Sequence, residues 1–218
     1  MNAVHFFDLK ATLADRLLSS AEYPWQALDM LSEYIFRIGK GLDKRVYNEV
    51  KKGIWIAKSA SVSESASLTA PLIIGEGSEV GRLACLGGSL IIGKGVTVGN
   101  LSEIKSSVLF DGARLSQNNY ISDSIIGCKV SFGAGAIVSN LSANRKEIIC
   151  ALGEISVKCE RARFGAIIGD GAEIGCSSVL SAGTVVEPGA KVGPLTRARG
   201  FVSAAKAYKG EKIIADIL

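Results

Sequence analysis

Residues 56–110 read IAKSASVSESASLTAPLIIGEGSEVGRLACLGGSLIIGKGVTVGNLSEIKSSVLF. Taking every sixth position gives Ile56, Val62, Leu68, Ile74, Val80, Leu86, Ile92, Val98, Ile104 and Phe110, all large and apolar. The position after each is mostly small: Ala57, Ser63, Thr69, Gly75, Gly81, Gly87, Gly93 and Gly99. A period of six is neither the 3.6 of a helix nor the 2 of a simple strand. It is the period of a hexapeptide β-helix, in which each repeat is one short strand and a corner. The large side chain points into the coil, and the small one turns the corner where a Cβ would crowd the backbone.

Outside this stretch the chain changes character. Phe6, Leu9, Leu13 and Leu17 recur at helical spacing, and Pro24 is placed to open a second helix marked by Leu28, Leu31, Ile35 and Ile38. Two short helices over residues 1–53 are therefore expected, capping the bottom of the coil. Repeats run to Phe110, and Tyr120, Ile126, Phe132 and Val138 then share a six-residue phase displaced by four. That displacement predicts four extra residues leaving the coil at about 112–119. A charged stretch at 141–163 reads as a second, extended excursion, for which a hairpin is one form. Repeats resume at Ile168, Ile174, Leu180, Val186 and Val192. The expected domains are a helical cap over 1–53, a β-helix over 54–204 and a tail over 205–218.

Of the 218 residues 48% are hydrophobic, yet no apolar run is long enough for a membrane-spanning helix. The N-terminus lacks the regions of a signal peptide, and five cysteines form no C-x-x-C pair. Reduced thiols in a cytoplasmic protein are the plain expectation. The net charge of +4 does not argue for nucleic acid. Between Lys191 and Lys212, six basic residues oppose one acidic residue. They read equally as a solvated tail or as a patch meeting an anionic ligand such as phosphate.

Asn119-Tyr120-Ile121-Ser122-Asp123-Ser124-Ile125-Ile126-Gly127, continuing into Gly133-Ala134-Gly135-Ala136-Ile137-Val138-Ser139-Asn140, carries a family resemblance. It resembles the β-helix domain of the bifunctional N-acetylglucosamine-1-phosphate uridyltransferase/glucosamine-1-phosphate acetyltransferase family. The likeness runs from about Ile54 to Lys209. The whole chain is similar to free-standing relatives labelled as pyrophosphorylases. The resemblance implies a left-handed parallel β-helix, a homotrimer with clefts between neighbouring coils, and acetyl-CoA as co-substrate. It also implies an amino-sugar phosphate acceptor, within UDP-N-acetylglucosamine biosynthesis. Uridyl transfer is not expected, because residues 1–53 are too few for the nucleotide-transferring domain.

Carried over residue by residue, the family's sugar-site tyrosine and asparagine fall on Tyr120 and Asn140. Its phosphate- or sugar-facing lysines fall on Lys146 and Lys105, with Ser131 also on the substrate side. Ala134, Cys176, Pro194 and Lys209 fall on the coenzyme side. Two positions depart from the family. The general-base histidine is Gln117, which has no titratable group, and a phosphate-binding arginine is Gly87. Either the chain is an acetyltransferase relying on positioning, or it is a non-catalytic trimer that binds a sugar nucleotide or coenzyme. Asp123 is a substitute carboxylate base or, on the plainer reading, a turn-capping residue. One histidine per chain, His5, cannot supply the three imidazoles of a zinc site, so no metal is expected.

Overall fold

The computed structural model describes residues 2–142, 147–153 and 155–204. Their core is a parallel β-solenoid whose short strands stack into three sheets of nine, seven and seven strands. We call them A, B and C in the order the chain visits them. In the lower coils, partners lie 18 positions apart, as in Leu72 with Leu90 and Cys85 with Glu103. The inward column Ile74, Val80, Leu86, Ile92, Val98 and Ile104 forms one buried core that continues through Ile168, Ile174, Leu180, Val186 and Val192. Three hexapeptides make one turn, so each inward side chain rests on the equivalent residues above and below.

No excursion leaves the coil at 112–119. Arg114–Leu115 is a strand of sheet B, paired with Thr97–Val98 below and Ser131–Phe132 above. The register slips instead at two successive corners between sheets C and A. There the inward residues run Ile104 to Leu109 and Ile121 to Ile126, each corner one residue short. Partners across these turns are 17 apart, as in Ile91 with Val108 and Val108 with Ile125. Two residues lost and four gained give the same phase in a period of six. Phe110 and Tyr120 consequently do not belong to the coil interior: Leu109 and Ile121 take those places.

Between 141 and 163 the described residues do leave the coil. Ile148–Leu152 and Ile155–Cys159 form an antiparallel hairpin, and its inward residues Ile148, Cys150, Leu152 and Cys159 join a second apolar cluster.

That second cluster also holds the N-terminal segment. Its helices, α1 (Asp15–Ser19) and α2 (Leu31–Gly39), accompany three short 3₁₀ turns. They do not cap the coil's bottom but lie along the outer face of sheet A. Trp55, Ile73, Ile91, Val108, Ile125, Ile167 and Val185 form an outward apolar column on that sheet, all buried beneath this layer and the hairpin. A sheet apolar on both faces must be covered on both, and this column outweighs the need to cap an end. Phe7 stacks on Phe110 at 4.9 Å, and the backbone amides of Asp111 and Asp170 donate to the carbonyls of Ala11 and Phe6. The open edge of sheet A at the first coil is closed by Tyr47–Lys51, which pairs antiparallel with Ile54–Ala57.

Candidate functional site

The corner between sheets B and C gathers four of the expected residues into one column. Gln117, Ala134, Cys176 and Pro194 occupy the same corner position in successive coils. Backbone hydrogen bonds tie the column together: Gly135 N donates to Gln117 O (3.0 Å), Ser177 N to Ala134 O (2.8 Å) and Leu195 N to Cys176 O (2.9 Å). Gly99 lies under it because a Cβ there would sit 2.5 Å from the Gln117 amide nitrogen. Buried Asn119 fixes the corner's shape, its Nδ2 donating to Ser116 O and its Oδ1 accepting from Ala136 N. Gln117 and the Cys176 thiol are exposed. The result is a polar ledge with one nucleophilic sulfur and no titratable nitrogen.

Tyr120 follows on the outer face of sheet C, half-buried, beside Glu103 below and Ile137 above. Lys105 shares that face two residues beyond Glu103 and ion-pairs with it. The pairing raises the lysine's pKa above its ordinary value, first through the hydrogen bond to Glu103 and then through its charge. To meet a phosphate, Lys105 would have to exchange that carboxylate for it. Ser131 stands on the outer face of sheet B, between Arg114 and Glu173. The corner column separates it from Tyr120. Gly87 has φ +155°, and a Cβ would lie 2.6 Å from both Cβ and O of Thr69. No arginine fits there without displacing the coil below.

Asn140 is buried at the other corner, between sheets C and A. Its Nδ2 donates to Asp123 Oδ2 at 2.7 Å and Ser122 Oγ at 3.2 Å, while Ser122 Oγ donates to the same carboxylate oxygen at 2.8 Å. Asp123 Oδ1 faces Arg161 Nη2 at 3.5 Å, and Arg161 also pairs with Asp29 of the N-terminal layer. Asn140 thus spends its amide on the Asp123 carboxylate and the Ser122 hydroxyl. At this corner the Asp123 amide donates to Lys105 O and its carbonyl accepts from Gly165 N. Arg161 and Asp29 escaped the sequence reading, since only the fold brings positions 132 apart in sequence together. Lys146 and Lys209 lie outside the described residues.

Comparison with known proteins places this geometry in a family context. A family model described as the GMPPB C-terminal domain matches residues 68–164. The chain is 34% identical over 98 residues to the bifunctional protein GlmU of Methanococcus maripaludis, covering 39% of this chain and 24% of that protein. It is 37% identical over 90 residues to GlmU of Bacillus cytotoxicus, covering 41% of this chain and 16% of that protein. Matches to these relatives thus span about a quarter of their length or less. Among solved structures, a point mutant of AntD, an N-acyltransferase from Bacillus cereus in complex with dTDP and coenzyme A, aligns at TM-score 0.40. It shares 17% identity, over 75% of this chain and 91% of that one. The stacked hexapeptides and the matched segment agree: the coil is a hexapeptide β-helix, and over residues 68–164 it is similar to the GMPPB C-terminal domain and to part of GlmU.

Proposed function

We propose that the chain is an acetyl-CoA-dependent N-acetyltransferase acting on an amino-sugar phosphate or sugar nucleotide, working as a homotrimer. The observation that carries this reading is the single column formed by Gln117, Ala134, Cys176 and Pro194, beside Tyr120, on a coil similar to GlmU. In this reading the pantetheine arm of the coenzyme runs up the column and the sugar sits over Tyr120 and Lys105. The acceptor nitrogen attacks the thioester carbonyl, the C–S bond breaks and the coenzyme thiolate leaves. The ammonium proton passes to water or to that thiolate. Gln117 orients the amine by hydrogen bonding but accepts no proton, so the rate rests on positioning and polarisation. Asn140, committed to Asp123, acts through the corner rather than on the sugar.

Apolar corner residues support the neighbouring copy. Leu83, Leu101 and Leu195 adopt φ of 58°, 60° and 53°, with 57%, 56% and 84% of their surface exposed. Leucine in this left-handed region costs roughly 1–2 kcal/mol, against which each of the three amides makes one hydrogen bond to the coil below while the side chain stays exposed. A second coil packed along the B–C corner would cover these side chains.

A second reading is a trimer that binds a sugar nucleotide or coenzyme without turnover, favoured by Gln117 in the base position and the closed space at Gly87. Coenzyme release over a panel of amino sugars, amino-sugar phosphates and their nucleotides separates the two. Gln117→His should raise turnover by about 10²-fold or more, the range of a positioned base. A trimeric variant that binds acetyl-CoA and shows no turnover with any acceptor would favour the binding protein.

A further inference from the structure

A cavity of about 1010 Å³ lies on a different side of the molecule from the corner column, between the N-terminal layer and the return strand of the hairpin. Tyr23 and Trp25 form its aromatic wall. Their rings stack at 4.8 Å and 5°, and Trp25 is backed in turn by Phe164 at 5.8 Å. The wall is rigid, because Trp25 is buried within the second apolar cluster. Across from it stand Asp123 and Arg161, held together by the contacts already described.

The polar groups left over define the ligand. Arg161 is committed to Asp29 and Asp123, and Lys158 to Glu147. Glu22 and Glu160 line the cavity with no ion pair among the described residues, against Arg163 alone among the cations. Gln26 accepts from the Tyr23 amide through Oε1 at 2.9 Å, which leaves its Nε2 as a donor towards the space. A flat aromatic face beside carboxylate, guanidinium and amide groups suits a ring that is apolar on one face and hydroxylated at its edge. Surplus carboxylate repels phosphate and attracts an ammonium group. We propose that this cavity binds an amino-bearing pyranose without phosphate, as a site separate from the B–C corner. The inference does not depend on acetyl transfer, since it uses none of the corner residues.

Trp25 and Trp55 are the two tryptophans of the chain, so Trp55→Phe isolates a reporter in the cavity wall. Titrating this variant with D-glucosamine should change Trp25 fluorescence saturably. D-glucose should bind more weakly, and inorganic phosphate should not compete. Tyr23→Ala should weaken glucosamine binding about fivefold to tenfold, the worth of one aromatic contact, whereas Tyr23→Phe should keep it. Gln117→Ala should leave the saturable Trp25 fluorescence change unchanged. Calorimetry on the wild-type and Tyr23 variants carries the same test should Trp55→Phe fail to fold. The proposal fails if wild-type protein shows no saturable heat with glucosamine, or if both Tyr23 variants bind like wild type. It also fails if phosphate competes, or if Gln117→Ala abolishes binding, which would place the sugar at the corner.

Discussion

Asn140 and Asp123 meet through a 2.7 Å hydrogen bond between consecutive turns of the coil, both side chains buried. The bond satisfies one oxygen of a carboxylate whose other oxygen faces Arg161. Removing the amide leaves a buried anion short of a donor, a loss of about 1–3 kcal/mol. Asn140→Ala should therefore lower the stability read from urea unfolding by that amount. Asn140→Asp should be worse, because it sets two carboxylates against each other. If Asn140→Ala leaves stability untouched while abolishing ligand binding, the residue serves the ligand directly.

Thiol chemistry should divide the five cysteines. Cys85 and Cys176 are exposed, whereas Cys150 and Cys159 are buried on the inner face of the hairpin. The Cys150 thiol is pushed up by its hydrogen bond to Cys159 and by burial, and burial pushes Cys128 up as well. Thiolate is the reactive form, so Cys85 and Cys176 should be alkylated first under native conditions. Saturating coenzyme A should slow Cys176 and spare Cys85. Mass spectrometry of quenched samples reads both, and equal protection at the two sites would remove the coenzyme from the column.

At Gly87 a methyl group should already be costly. Gly87→Ala meets Thr69 backbone and side chain at 2.6 Å, and overpacking of this kind costs about 1–3 kcal/mol. Gly95, also at positive φ but with open space around its Cβ position, is the control. Gly95→Asn should cost well under half as much, since asparagine tolerates that conformation. Equal thermal shifts for the two variants would mean that the contact at Thr69 is not what excludes a side chain.

Asp170 ties the N-terminal layer to the coil, accepting from Asp8 N (2.6 Å) and Cys128 N (2.7 Å). Burial raises its pKa, and the two amide donors only partly oppose this. The folded state then holds the proton more tightly than the unfolded one. Its contribution is full below the unfolded value of about 3.9 and is lost as pH rises through the folded value. The stability of wild type relative to Asp170→Asn should thus fall as the pH is raised from below about 3.9 through the higher folded-state value. Paired urea titrations across that range check the sign. A rising difference would mean that the amide donors outweigh burial.

The hexapeptide core was legible because a six-residue period survives in the one-dimensional text wherever turns keep 18 residues. The slip after Ile104 was visible but ambiguous, since arithmetic modulo six cannot separate two lost residues from four gained. The N-terminal layer was misplaced for a different reason. Its docking column, Trp55, Ile73, Ile91, Val108, Ile125, Ile167 and Val185, repeats once per turn, so a six-residue reading passes over it. At the candidate site, the alignment of Gln117, Ala134, Cys176 and Pro194 follows directly from counting coils. The commitment of Asn140 to Asp123 does not, because it depends on which way one amide turns at a corner.

Phe6 and Ala11 grip the coil at Asp170 and Asp111, two turns apart. A solenoid ordinarily grows or shrinks by whole repeats, because each turn touches only its neighbours. Here a strap of fixed length indexes the turns it crosses, so one turn added or deleted between Asp111 and Asp170 would pull an anchor out of register. The strap also joins the start of the chain to its upper coils, raising contact order and slowing folding relative to a bare solenoid. Unzipping past Asp170 is blocked for the same reason: the turns between the two anchors cannot open before the N-terminal layer lets go.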